Sequence, residues 1–208
     1  MKQQSSRIQP LAALFLLATT LTFAADEAFI FSFFRGNGED GLYLASSTDG
    51  LKWTPLNGDK PVLKPEVGES KLMRDPSIVR GPDGTFHMVW TTAWSGRTIG
   101  YASSKDLRNW SAQRAIELFP AGTEVLNCWA PELFYDAKAK DFAIVWASTI
   151  KGKFPETLGK GTRDYNHRLY VTHTRDFQSF SPAQVVYEPG FQVIDGAMFR
   201  EGGKLHMI

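Results

Sequence analysis

Apolar and polar positions alternate with period two through most of this chain, and Gly, Asp, Asn or Pro interrupts the alternation every few residues. That pattern predicts short half-buried strands joined by tight turns, with no helical periodicity of comparable length. One unit recurs. Leu42-Tyr43-Leu44-Ala45-Ser46-Ser47-Thr48-Asp49-Gly50-Leu51-Lys52-Trp53 returns as Ile99-Gly100-Tyr101-Ala102-Ser103-Ser104-Lys105-Asp106-Leu107-Arg108-Asn109-Trp110. A looser copy runs from Leu169 to Phe180, and in all three an aromatic stands four residues after the aspartate. The unit reads as strand, turn and the start of another strand. The aspartate accepts hydrogen bonds from N–H groups just ahead of it, and Trp53, Trp110 and Phe180 are expected to plug the turn from beneath.

A second unit alternates with the first. Asp75-Pro76-Ser77-Ile78-Val79-Arg80, the turn Gly81-Pro82-Asp83-Gly84 and Phe86-His87-Met88-Val89-Trp90 form one hairpin. Pro131 to Trp146 repeats that plan, and Asp195 to Ile208 begins it again across Gly202-Gly203. Two hairpins make a four-stranded antiparallel sheet, and sheets repeating at intervals of 57 and 70 residues read as propeller blades. The expected fold is therefore all-β, a β-propeller with blades at about 75–118 and 130–187 and partial blades at 29–63 and 194–208. About half of a ring is expected in these 208 residues, the rest to follow Ile208. Open blades leave unpaired backbone edges, so residues 25–208 alone are expected to be poorly stable or prone to aggregate. The stretch from Ile150 to Asn166 accounts for most of the longer interval and reads as a loop on one propeller face, placed where it could shape a cleft.

Composition changes the picture in three places. Lys2 and Arg7 precede an apolar run from Leu11 to Phe23, and Thr22-Phe23-Ala24 offers small residues for cleavage, so 1–24 reads as a signal peptide and the protein as secreted or periplasmic. Losing Lys2 and Arg7 lowers the net charge of +1 to −1; neither value gives a footprint for nucleic acid, and no membrane association is expected after signal removal. Cys128 is the only cysteine, so no internal disulfide forms, and its apolar context suits an inert buried thiol.

The candidate chemistry lies in carboxylates. Asp75 and Asp195 stand at the same place in their blades, just before the first strand, and Glu132 stands close to the corresponding place between them. Acids recurring in phase converge on one axis, where they raise one another's pKa; glycoside hydrolysis needs two carboxyl groups in different protonation states. Trp94 and Trp129 fall on the same rim, with flat faces suited to sugar C–H groups, and Arg74 is placed to bond hydroxyls.

Met73-Arg74-Asp75-Pro76-Ser77-Ile78-Val79, Thr91-Thr92-Ala93-Trp94, Ile99 to Leu107, Trp129-Ala130-Pro131-Glu132 and Ile194-Asp195-Gly196-Ala197 together resemble glycoside hydrolase family 43, in order and in successive blades. The resemblance implies a five-bladed propeller, an arabinanase-, arabinofuranosidase- or xylosidase-like activity on plant-type polysaccharide, and an inverting mechanism. It implies that Asp75 is the general base and that Asp195 orients and tunes the acid, although Gly196 stands where the family often has proline. The general acid would belong to a following blade and is absent from this chain, so the 208 residues are expected to be inactive; Glu132 is assigned to binding or support. No His/Cys spacing suits a metal, no cofactor is implied, carbohydrate is the expected partner, and the complete protein is expected to be a monomer. Two other readings remain open: a glycan-binding propeller without catalysis, and a retaining fructan- or sialidase-type hydrolase. Arg74-Asp75-Pro76 is similar to the fructan type, and Ser47 to Trp53 is one residue short of a sialidase Asp-box.

Overall fold

A computed structural model describes residues 28–159 and 165–208; the segment read as a signal peptide lies outside them. Strands β1 (Phe29–Phe33), β2 (Tyr43–Ser47) and β3 (Thr54–Pro55) form a three-stranded sheet. The next sheet holds β4 (Arg74–Arg80), β5 (Phe86–Thr91), β6 (Thr98–Ser104) and β7 (Arg114–Glu117) in that order. A third holds β8 (Trp129–Asp136), β9 (Asp141–Ser148), β10 (Arg168–Thr174) and β11 (Gln184–Tyr187). Then β12 (Met198–Glu201) and β13 (Lys204–Met207) pair across Gly202 and Gly203, whose φ values of 55° and 80° suit a two-residue hairpin turn. Every pairing is antiparallel.

The first strands of successive sheets, β1, β4, β8 and β12, touch one another in turn, which is the arrangement of propeller blades about an axis. Between the sheets lie three cores. Met88 and Trp90 of β5 face the first sheet with Leu42, Leu44 and Met73, whereas Val89 faces the third sheet with Ile144 and Trp146 of β9. Val145 and Ala147 turn the other way, toward Leu169, Val193 and Met198. A strand sandwiched between two neighbours must be apolar on both faces, which is why these two segments read as unbroken apolar runs. Each large side chain buried this way stabilises by roughly 1.5–3 kcal/mol. Close packing also fixes Gly100, because a Cβ there would overlap the Trp90 indole.

The repeated turns form as expected. Asp49 accepts the Leu51 and Lys52 N–H groups at 2.9 and 2.8 Å, Asp106 those of Arg108 and Asn109 at 2.9 and 2.7 Å, and Asp176 those of Gln178 and Ser179 at 2.8 Å each. These donors hold all three carboxyls below the usual range. Trp110 and Phe180 are half-buried beneath their turns. Trp53 departs from the expected plug: it is 40% exposed and leans on Phe31, with ring centroids 5.6 Å apart, lining an open apolar hollow on the face of the first sheet.

Candidate functional site

The site begins at an irregularity shared by the first strands of the two four-stranded sheets. In β4 the register slips by one residue between Arg74 and Ser77, and in β8 between Trp129 and Glu132. Each slip is a β-bulge whose odd residue takes a left-handed backbone, with φ of 48° at Asp75 and 45° at Ala130; Asp195 has 59° at the matching place before β12. A non-glycine residue at positive φ is uncommon, and its recurrence at one position of three blades marks where the chain is bent to re-aim a side chain.

The bulges correct one expectation. The second-blade counterpart of Asp75 and Asp195 is Ala130, while Glu132 pairs with Val145 as Ser77 pairs with Val89. Glu132 therefore stands two residues further along its strand, outside the cleft that holds the two aspartates. Its carboxyl is half-buried beside Ser77, and burial raises its pKa against the opposing pull of that hydroxyl.

Asp75 and Asp195 line one cleft of about 240 Å³ with Arg74, Thr91, Trp94, Trp129, Ala130 and Ile194. The Thr91 hydroxyl, on β5, donates to Asp75 Oδ2 at 2.9 Å and accepts the Ala130 N–H at 2.8 Å. One buried threonine thus ties the base of the first acid to the bulge of the next blade. Asp195 has its pKa raised, first by partial desolvation and then by the negative charge of Asp75, and both bias its carboxyl toward the protonated form.

Arg74 is held rather than free. Its guanidinium lies 4.4 Å from the Trp94 ring and 4.7 Å from Phe34, and Nη1 donates to Asn37 Oδ1 at 3.2 Å. Asn37 Oδ1 also accepts the Trp94 indole N–H at 2.8 Å, fixing the one ring of the site that is 46% exposed.

Beside the acid cleft, and sharing Trp94, Trp129 and Ile194 with it, opens a basin of about 640 Å³ completed by Ser95, Tyr165, His167, Gln192 and Val193. Trp94 and Trp129 meet edge to face at 5.7 Å, and the Trp129 indole N–H donates to the Trp94 carbonyl at 2.8 Å. Tyr165 lies 4.7 Å from Trp129 and donates its hydroxyl to the same carbonyl at 3.2 Å. Trp129, half-buried, thus lines both cavities. Cys128 next to it is buried, with its thiol pushed up to about 12, and carries no chemistry.

Arg74, Asp75, Trp94, Trp129 and Asp195 are brought together; Glu132 is not. Asn37, Thr91, Tyr165, His167 and Gln192 were not legible as site residues. For Tyr165 the signal is the insertion from Ile150 to Asn166, whose end delivers it to the rim with His167 just beyond.

No curated protein sequence matches the chain. Among solved structures, an α-L-arabinofuranosidase from Clostridium thermocellum superposes with a TM-score of 0.58 at 13% identity, covering 86% of this chain and 56% of its own. An α-L-arabinofuranosidase from Lactobacillus brevis gives 0.51 at 23% identity, covering 65% and 43% respectively. An N-acetylgalactosamine deacetylase from F. plautii, solved with blood group B trisaccharide, gives 0.55 at 14% identity, covering 81% and 52%. The chain spans about half the length of these structures, and at such identities the likeness is one of fold. Residues 25–208 match the model of a family described as "Probable glycosyl hydrolase domain". With the repeated blades and the ordered motifs, that match over nearly the whole sequence places the chain in this glycosyl hydrolase family, related to glycoside hydrolase family 43.

Proposed function

We propose that this chain carries the sugar-binding face and two of the carboxyl groups of an inverting glycosidase acting on arabinose- or xylose-containing plant-type glycans. The observation that carries the reading is the convergence of Asp75 and Asp195 on one cleft beside the exposed face of Trp94. In this reading Asp75 is the general base: it takes a proton from water attacking the anomeric carbon on the face opposite the leaving group. Asp195 orients and tunes the acid, and its raised pKa suits a group that shares a site with a second carboxylate. Asp75 and Asp195 are the only carboxylates among the described residues lining the cleft, so this reading assigns the general acid to neither the cleft nor its described walls. Export as a secreted or periplasmic protein belongs to the same proposal, on the amino-terminal pattern alone.

The reading expects the 208-residue chain to bind arabino- or xylo-oligosaccharides in a calorimetric titration without cleaving them; absence of binding to both contradicts it. A glycan-binding propeller without catalysis is the second reading, favoured by the two-carboxylate lining. A glycosyl fluoride separates the two, because fluoride departs without protonation by an acid. Slow hydrolysis with inversion, lost in Asp75→Asn, supports a base at position 75, whereas binding with no such hydrolysis supports the second reading.

A further inference from the structure

His167 immediately precedes β10 and is 5% exposed, yet its ring forms part of the wall of the aromatic basin. It stacks on Tyr165 at 5.1 Å and lies 4.8 Å from Trp129. Its Nε2 is buried without a hydrogen bond of sound geometry, and so is Oε1 of Gln192, which lines the same basin close enough to act on the His167 ring but not aligned to bond it. Two neighbouring polar atoms that fail to pair well in one aromatic cavity carry a cost, because a buried donor or acceptor left without a good bond forfeits its bond to water.

The backbone that presents them is rigidly held. The buried Arg168 guanidinium donates to the His167 carbonyl at 2.9 Å, to Asn166 Oδ1 at 3.1 Å and to Thr157 Oγ1 at 2.7 Å, and pairs with Glu188. The same His167 carbonyl accepts the Val193 N–H at 3.3 Å, tying it to the segment that carries Gln192 and, three residues on, Asp195. Asn166 is fixed in turn by bonds to the Phe154 carbonyl and from its own N–H to Thr149 Oγ1, each 2.8 Å. Such support is what keeps a recognition group in place before its ligand arrives.

Resting on the glycan-binding reading above, we propose that His167 and Gln192 together read one hydroxyl of an uncharged sugar ring that stacks in the aromatic basin next to the acid cleft. A hydroxyl is donor and acceptor at one atom, so it accepts from the imidazole N–H and donates to the Gln192 amide oxygen, satisfying both atoms at once. No Asp, Glu, Lys or Arg lines the basin among the described residues, which matches a neutral ligand. Burial pushes the His167 pKa down to about 4, against the hydrogen-bonding pull of the neighbouring Gln192 side chain, so the ring is neutral and carries a single N–H at ordinary pH.

The test is a tryptophan-fluorescence titration of the full chain with arabinotriose and with xylotriose, since Trp94 and Trp129 report on the basin directly. His167→Phe keeps the stacking ring and removes the nitrogen; Gln192→Leu removes the acceptor. Each is expected to weaken binding of the preferred trisaccharide about tenfold, and the double variant to weaken it far less than the product of the two, because both read one hydroxyl. His167→Gln, which keeps a donor, is expected to recover most of the affinity and guards against a fold defect. Wild-type binding that Trp94→Ala abolishes but His167→Phe and Gln192→Leu leave unchanged overturns this inference alone. No binding of either sugar by the wild type overturns the glycan-binding reading beneath it.

Discussion

The Thr91 hydroxyl bonds to Asp75 Oδ2 at 2.9 Å while it accepts the N–H of Ala130. One side chain therefore sets the direction of a carboxylate in one blade and satisfies the strained bulge of the next. Thr91→Val keeps the shape and strips both bonds, leaving the Ala130 N–H unpaired in a half-buried position; the expected loss is about 1–3 kcal/mol in denaturant unfolding. Thr91→Ser should retain most of the stability. Equal stability of Val and wild type would show that the hydroxyl is not holding the bulge.

Asp195 gives a pH-dependent signature whose sign is fixed by its surroundings. Its pKa is raised in the fold, so the stability associated with it is fully present below the unfolded carboxylate value and is lost as pH rises through the folded value. Asp195→Asn carries no charge to set against that of Asp75. The variant should therefore unfold at a higher temperature than wild type near neutral pH, with the gap closing at low pH. A gap that widens on acidification would contradict the assignment.

His167 acts in the opposite sense. Its folded pKa of about 4 lies below the ordinary value, so the folded chain resists protonation that the unfolded chain accepts. The associated stability is present above about pH 6.5 and is lost progressively down to about pH 4. The thermal midpoint should fall across that window, and His167→Phe should flatten the fall.

Phe29 and Phe31 are 55% and 53% exposed on β1, and Phe31, Phe33, Trp53 and Pro55 line an apolar hollow on the first sheet. An apolar surface of this kind drives association. Sedimentation should show concentration-dependent self-association of the chain, reduced by Phe31→Lys. A strictly monomeric chain at high concentration would count against it.

What the sequence disclosed follows from how locally each feature is determined. The Asp49, Asp106 and Asp176 turns are closed by bonds spanning two or three residues, so their spacing alone announces them. The phase of Asp75 and Asp195 was readable because each stands at the same short distance ahead of a strand-turn-strand pattern that repeats. Glu132 was misplaced because a bulge is a property of pairing, and Pro131-Glu132 resembles Asp75-Pro76 in composition while being shifted in register. Asn37, Tyr165, His167 and Gln192 reach the site across long sequence separations, with no local pattern to betray them. Trp53 shows the converse error, since the local spacing matches the other turns while its ring packs on the distant Phe31 instead.

A crystal structure of the chain with bound arabinotriose or xylotriose tests the central claim most directly. The account predicts one sugar ring with its anomeric carbon between the Asp75 and Asp195 carboxyls and an adjoining ring against Trp94 and Trp129. A trisaccharide bound elsewhere on the surface, with the cleft between the two aspartates left unvisited, would contradict it.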